Sequence, residues 1–212
     1  MNTENTDKAS GENLTYEELV SVANGSDIEK RYYVIKKLAL RYEARAAEMM
    51  IGFLEDKDPR IRHISAASLG LLEYKLAVEP LIKCLSDEDD HVRNSAVWAL
   101  DMIKDVRALE PLIKALNDED ETTRYGAATA LGSLRDARAL EPLLQCLQSP
   151  DLELRGYAAS ALGNIGDKTA LSFLQKLYQD EKVDTLLWDG KTLREIVTGA
   201  IEGIEEGMER NK

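Results

Sequence analysis

A fixed interval of 31 residues runs through most of this chain of 212 residues. An arginine recurs at that interval, together with an aspartate four residues before it and a leucine seven residues after it. The positions are Asp27, Asp58, Asp89, Asp120 and Asp151, then Arg31, Arg62, Arg93, Arg124 and Arg155, then Leu38, Leu69, Leu100, Leu131 and Leu162. A period of 20–50 residues is typical of a solenoid, in which each unit stacks only on its neighbours. Such a molecule presents an extended surface, so binding is the first function to test.

Each unit predicts an antiparallel pair of α-helices. In the unit 136–166, apolar residues have helical spacing in both halves, and Ser149-Pro150-Asp151 separates the halves. Asp151 is placed to accept backbone N–H groups of the second helix's first turn, as a helix cap does. The fold class is therefore all-α, a solenoid of about six helix pairs. The predicted pairs span about 15–24 and 28–41, 44–56 and 59–73, 75–87 and 90–104, 106–117 and 121–135, 137–148 and 152–165, and 168–179 and 192–206.

Three prolines recur inside the predicted first helices, at Pro80, Pro111 and Pro142. Proline has no backbone N–H group, so each of these helices should either kink at the proline or start late. The sequence leaves both alternatives open.

The ends of the chain differ from the repeats. Residues 1–13 are polar, lack an apolar stretch and predict a disordered N-terminal tail rather than a secretory signal. Residues 14–206 predict a single solenoid domain, and 207–212 a C-terminal tail. In the last unit the second-helix pattern recurs eight residues late, so 180–191 predicts an enlarged loop. This loop either folds over the exposed end of the stack or forms a partner-binding tip.

The motif inside the repeat resembles a known family. Its residues are Asp151, Leu154-Arg155, Ala158-Ala159, Ala161-Leu162-Gly163 and Ile165-Gly166-Asp167, with Ala-Leu-Glu-Pro-Leu at 108–112 and 139–143. The pattern resembles the HEAT-like repeats of the phycobilisome-lyase class, over about 15–206. The resemblance implies a superhelix with the first helices outside and the second helices lining a concave face. The motif is specific for the fold and says little about activity.

The repeated charges predict a structural ladder. Each arginine follows a capping aspartate by four residues, so the two can pair along one helix face. Each arginine can also reach the aspartate of a neighbouring unit, with bidentate geometry. We therefore expect Asp27, Arg31, Asp58, Arg62, Asp89, Arg93, Asp120, Arg124, Asp151 and Arg155 to tie repeat to repeat rather than to bind phosphate.

The positions one, two, five, eight and nine after each arginine are those left for the concave face. They give the predicted partner-binding residues Tyr32, Lys36, His63, Asn94, Trp98, Asp101, Met102, Tyr125, Thr129 and Tyr157, and they also include Ile64 and Ser95. Exposed Trp, Tyr and Met are typical of interface hot spots. Trp98 is expected to be partly exposed, because Ala67, Thr129 and Ser160 occupy its slot in other units. For Tyr125 and Tyr157, packing between second helices is the alternative.

Charge restricts the partners. The net charge is -12 with a pI of about 4.8, which argues against nucleic acid and anionic membranes because both require a positive field. No apolar run approaches the ~20 residues of a membrane span. We expect a basic or neutral protein or peptide as the partner. The oligomeric state is left open, with a monomer expected.

The chemistry of catalysis is missing from the sequence. It has two histidines, no CxxC pair, no glycine-rich phosphate loop and no serine-nucleophile motif. We therefore expect no catalytic residue, no cofactor and no metal site. Cys84 and Cys146 occupy one slot two repeats apart, too distant to form a disulfide. Buried free thiols suit a reducing compartment, and a cytoplasmic protein is predicted.

Three functions follow, in order of preference. The first is a non-catalytic protein-interaction scaffold. The second, implied by the resemblance, is a lyase-like or chaperone-like subunit that holds a tetrapyrrole or a client protein, although no cysteine lies on the predicted concave face. The third is a nucleic-acid-binding HEAT protein, for which the face offers mainly Lys36 and Arg60.

Overall fold

The structure, a computed structural model, describes residues 14–180, 182–187 and 190–210, without the side chains of 42–44. The predicted N-terminal tail 1–13 lies outside the described residues. So do Trp188 and Asp189 of the predicted enlarged loop.

Helices dominate the described chain, as predicted. They are α1 (Tyr16–Ala23), α2 (Ile28–Phe53), α3 (Pro59–Leu71), α4 (Val78–Cys84), α5 (Asp90–Ile103), α6 (Leu109–Ala115), α7 (Glu121–Leu134), α8 (Leu140–Cys146), α9 (Leu152–Ile165), α10 (Leu171–Tyr178) and α11 (Leu193–Arg210). One-turn 3-10 helices precede α4, α6, α8 and α10. Within the described ranges, extended pairing is limited to an isolated bridge between Leu186 and Thr192.

The chain divides into two compact units, Met1–Ile103 with α1–α5 and Lys104–Lys212 with α6–α11. In the first unit α3 packs between α2 and α5, and in the second α9 packs between α7 and α11. Each short first helix packs on the second helix that follows it. The repeated leucines Leu38, Leu69, Leu100, Leu131 and Leu162 are fully buried, so the period marks the core. The single domain 14–206 stays a prediction.

Two differences from the predicted helix boundaries exceed three residues. The predicted helices 28–41 and 44–56 form one helix, α2, because the junction contains no Gly, Pro or capping residue to end it. At the other end α11 continues to Arg210. Residues 207–210 are therefore helical rather than part of a tail from 207.

The three prolines mark late helix starts. Pro80, Pro111 and Pro142 are each the third residue of α4, α6 and α8, respectively. The first N–H groups of a helix have no acceptor within it, so proline there costs no helical hydrogen bond. The structure thus decides between the two alternatives in favour of the late start.

The repeated aspartates cap the second helices. In each case a side-chain oxygen of the aspartate is the acceptor. Asp27 accepts the backbone N–H of Lys30 at 3.2 Å, and Asp58 that of Arg60 at 3.0 Å. Asp89 accepts from Val92 at 3.2 Å, Asp120 from Thr123 at 2.7 Å and Asp151 from Leu154 at 3.1 Å. Each bond satisfies a donor of the first turn.

The arginine of a repeat donates to a backbone carbonyl in the turn of its own helix pair. Arg62 Nη1 donates to the carbonyl of Asp56 at 2.9 Å, and Arg93 Nη1 to that of Asp87 at 3.0 Å. The equivalent carbonyl of Asp118 accepts from Arg124 at 2.9 Å. These bonds close the turn between the two helices of each pair.

The acid that pairs with Arg31, Arg62 and Arg155 comes from the next repeat along the chain. Both oxygens of Asp87 accept from Arg62, at 2.7 Å each. Arg31 pairs likewise with Asp56 and Arg155 with Asp180 (3.0 Å), so the interval is 25 residues. These three arginines therefore pair neither with the capping aspartate of their own helix nor with the capping aspartate of the next repeat, the two partners that the sequence allowed.

Arg124 is the exception that explains this choice. Ser149 occupies the position where the other repeats have the acid. Arg124 instead pairs with the capping Asp151 at 3.2 Å. Asp151 is a cap of the neighbouring helix pair, one of the two partners that the sequence allowed. The loop acid is thus the preferred acceptor, and the cap accepts where that acid is missing.

The described part of the enlarged loop is anchored to the second unit. Val183 and Leu187 are buried, and Leu187 lies over Gly156 of α9. Asp184 accepts from Arg194 of α11 at 2.6 Å. Leu186 remains exposed.

Candidate functional site

The second helices α2, α3 and α5 of the first unit present one surface, which we call the first face. Its outward residues are Tyr32, Lys36, Leu40, His63, Leu71, Asn94, Trp98, Asp101 and Met102. Lys36, Leu40, Leu71 and Trp98 are exposed, and the others are half-buried. Ile64 and Ser95, which the spacing also placed here, are buried. Two residues after the arginine, the α3 and α5 side chains therefore point into the helix packing.

Trp98 is the largest exposed side chain of the first face. It keeps 40% of its surface in solvent. Its ring edge lies against Gly70 of α3, where an added Cβ would come within 3.1 Å of Cζ3. One edge of the ring therefore packs on the backbone of α3, and the rest of the ring remains partly accessible to solvent.

A cleft of about 410 Å³ opens at the N-terminal ends of the same three helices. We call it the α2–α3–α5 cleft. It is lined by Glu29, Tyr32, Pro59, Arg60, His63, Asp89 and His91. Tyr32 and His63 were predicted partner-binding residues, and the structure brings them together here.

Hydrogen bonds order the polar groups of this cleft. Arg60 donates to both oxygens of Asp58, at 3.1 and 3.0 Å, and to Glu29 at 2.7 Å. Those bonds from Arg60 lower the pKa of Asp58 against the effect of burial. His63 Nδ1 lies 2.6 Å from Ser95 Oγ and 3.3 Å from the carbonyl oxygen of His91. The imidazole of His63 is therefore oriented by α5.

Sequence reasoning missed Glu29 and His91 and assigned Asp89 only to the structural ladder, because it sought the binding face only at positions after each arginine. Glu29 and Arg60 each lie three residues before a predicted face residue, Tyr32 and His63 respectively. Residues three apart are neighbours on one side of a helix. That spacing was the available signal.

The predicted partner-binding residues of the second unit contact residues of that unit. The rings of Tyr125 and Tyr157 stack with centroids 5.0 Å apart at 15°. The Tyr125 hydroxyl donates to Asp151 at 2.9 Å, and Thr129 donates its hydroxyl to the carbonyl of Tyr125 at 3.1 Å. Burial, followed by the bond to Asp151, raises the pKa of Tyr125. The first face, rather than these residues, is thus the stronger candidate site.

A wider groove of about 640 Å³ runs between α9 and α11 in the second unit. Its lining includes Thr129, Tyr157, Ser160, Asn164 and several glycines of α9 and α11. The contribution of α11 was not predicted, because the period breaks before this helix.

Metal clusters and membrane-spanning helices are absent from the described residues. In the described ranges, no group of three or more His, Cys, Asp or Glu side chains is arranged to hold a metal ion. None of the helices described here has the length and hydropathy to cross a membrane. Cys84 and Cys146 are free thiols, and burial raises the pKa of Cys84 to about 11. That thiol stays protonated near neutral pH and is a poor nucleophile.

A family model for HEAT repeats matches residues 16–101, 62–121 and 109–189. This chain belongs to the HEAT-repeat family. The expected all-α, HEAT-like solenoid is thereby confirmed, and the matched residues include helices of both units. Comparison with curated proteins finds no match.

Solved structures share the HEAT-repeat architecture at low sequence identity. An engineered protein is 23% identical, with 90% of this chain and 96% of that chain covered and a TM-score of 0.68. A computationally designed armadillo repeat protein for modular peptide recognition is 20% identical (87% and 98% covered, TM-score 0.59). A designed armadillo repeat protein in complex with the peptide (KR)4 is 19% identical (88% and 98% covered, TM-score 0.62). At such identity the likeness shows the fold alone.

Proposed function

We propose that this HEAT-repeat protein is a non-catalytic scaffold that binds a protein or peptide partner through the first face. The observation that carries the proposal is the exposure of Trp98, since the repeated leucines already form a buried core without it. Leu40 and Leu71 occupy equivalent positions on α2 and α3 and are also exposed. Large apolar and aromatic side chains on a rigid surface are the usual anchors of an interface.

The comparisons support this proposal by analogy. Two similar solenoids are designed armadillo repeat proteins, one for modular peptide recognition and one in complex with (KR)4. The present chain has the same type of fold and a net charge of -12. A strongly acidic protein attracts basic partners and accelerates their association.

Trp98→Ala tests the proposal. We expect this variant to lose the protein that the wild type captures from the native lysate, because the anchor is removed. The free energy of unfolding should change by about 1 kcal/mol or less, since the ring is partly in solvent. Phe173→Ala is the matched control, because Phe173 is an exposed aromatic residue on α10 of the other unit.

Affinity capture and urea denaturation, measured on the same three proteins, give the answer. Equal capture by wild type and Trp98→Ala would show that the first face is not used. A large loss of stability in Trp98→Ala would show that Trp98 belongs to the core.

A further inference from the structure

We infer that the partner segment places a lysine or arginine side chain in the α2–α3–α5 cleft and packs apolar side chains on Leu40, Leu71 and Trp98. This inference rests on the proposed function and names the chemistry of the partner. It is carried by the different character of the two edges of the first face, by charge complementarity and by the shape of the cleft.

The two edges of the first face lie at opposite ends of the same helices. On each helix a residue at the cleft edge is followed eleven positions later by an apolar one: Glu29 and Leu40, Arg60 and Leu71, His91 and Met102. Eleven residues of α-helix span about 16 Å. One edge therefore offers ionisable groups, and the other offers mainly apolar groups with the half-buried Asp101 beside Met102, at a separation of about 16 Å.

The balance of charge at the cleft favours a cation. Two carboxylates, Glu29 and Asp89, line the cleft with the single guanidinium of Arg60. The other arginines of the same first turns, Arg31, Arg62 and Arg93, are buried. Arg60 is already held by Asp58 and Glu29. A cation of the partner would therefore meet a net negative charge in the cleft, with Asp89 as the carboxylate outside the pairs that Arg60 makes.

The helix N-termini do not reverse this preference. A helix N-terminus attracts anions through its unsatisfied N–H groups and its dipole. Here the side chains of Asp27, Asp58 and Asp89 accept N–H groups of the first turns. The caps therefore occupy the donors and place negative charge where an anion would bind.

The walls of the cleft suit a long cationic side chain. The Tyr32 ring and the edge-to-face pair His63 and His91, with centroids 6.4 Å apart, line it. A lysine or arginine stem packs on such rings while its charged end contacts carboxylates. Lys36, exposed seven residues after Glu29 on α2, disfavours a cation further along the face. The positive charge is thus directed to the cleft.

Selection of displayed random peptides on the full chain tests the inference. Peptides of about twelve residues reach across 16 Å either as a helix or as an extended chain. We expect the enriched peptides to combine Lys or Arg with Leu, Ile, Phe or Trp. Fluorescence anisotropy of one labelled peptide should show affinity about tenfold lower for the double variant Glu29→Gln/Asp89→Asn, because two carboxylates at the cleft are neutralised.

The control separates the cleft from the total charge. Glu202→Gln/Glu205→Gln removes the same charge from exposed positions of α11 in the other unit, and affinity should stay within about twofold. Asn at position 89 still caps α5, so the cleft variant keeps its helix start. Replacing the basic residue of the peptide by Gln should lower affinity for the wild type but hardly for the cleft variant.

The outcomes distinguish the two proposals. If no peptide is enriched, or if binding is the same for Trp98→Ala, the proposed function fails. If peptides depend on Trp98 but carry no basic residue, or if the cleft and control variants bind equally, the proposed function stands and this inference is overturned.

Discussion

Arg60 and Arg62 lie two positions apart on α3, and their surroundings give them unequal roles. The side chain of Arg62 is 9% exposed and that of its partner Asp87 is 11% exposed, whereas Arg60 is 55% exposed. A buried pair leaves an uncompensated charge when one member is removed. An exposed pair contributes little, because water and salt screen it.

Arg62→Ala should therefore lower the free energy of unfolding by about 3–5 kcal/mol, since Asp87 would remain buried without its guanidinium. Arg60→Ala, the matched control on the same helix, should change it by about 1 kcal/mol or less. Urea denaturation followed by circular dichroism measures both. Similar losses in the two variants would contradict the structural role of the buried pair.

The arginines were singled out from the sequence, whereas their acceptors were not. The 31-residue interval singles out Arg62, and the capping Asp58 is its nearest acid along the helix. The true acceptor, Asp87, is oriented by a turn in which its own Oδ1 accepts the backbone N–H of Asp89 at 3.0 Å. The same local turn recurs at Asp56 and Asp118, so the 31-residue interval carried a signal for the acceptors that the spacing from arginine to cap did not.

At the scale of helices, glycines set how closely the second helices approach. A Cβ at Gly132 of α7 would lie 2.7 Å from the Cα of Ala161 on α9, and one at Gly163 would lie 2.8 Å from that of Ala200 on α11. Backbone cannot retreat from such a contact unless the helices move apart. By contrast, a Cβ at Gly203 of α11 would meet nothing within 4 Å.

Gly132→Ala should destabilise the protein by about 1–3 kcal/mol, because the helices must separate to admit the methyl group. Gly203→Ala should instead stabilise it by about 0.5–1 kcal/mol, since alanine loses less backbone freedom in a helix. Thermal and urea unfolding of the two variants provide the comparison. A stabilising Gly132→Ala would show that α7 and α9 are not in close contact.

Helix positions were mostly readable from the sequence, and the exceptions have local reasons. The caps Asp58, Asp120 and Asp151 each precede the helix they were expected to start. The break expected within 28–56 came from extending the period into a stretch that lacks any helix-ending residue. The cleft needed three helices side by side, so the pattern of one helix could show only part of it.

At the scale of the whole molecule, acid should act through the buried pairs. Burial alone would raise the pKa of Asp56 and Asp87. Hydrogen bonds from Arg31 and Arg62, hydrogen bonds from backbone N–H groups two residues on and the arginine charges together outweigh burial and hold both pKa values below the usual range. A carboxylate with a lowered pKa in the folded state contributes stability above its unfolded pKa, about 3.9. That contribution is lost as the pH falls through the folded pKa.

We therefore expect the urea midpoint to change little between pH 7 and 5, where lower net charge also reduces self-repulsion. It should then fall steeply below about pH 4, as the loop aspartates take up protons. Arg62→Ala should show a shallower fall, because the pKa of Asp87 is no longer lowered by its partner. A midpoint that is constant down to pH 3 would contradict the role of these carboxylates.

A 25-residue interval separates Arg31 from Asp56, Arg62 from Asp87 and Arg155 from Asp180. This interval restricts where residues can be inserted into the chain. Duplicating a whole segment recreates every pair, whereas an insertion between an arginine and its acceptor would pull the pair apart. The extra residues of the last segment follow Asp180, where Arg155 is already paired. Length is therefore tolerated there, and a natural or engineered insert would best be placed at that site.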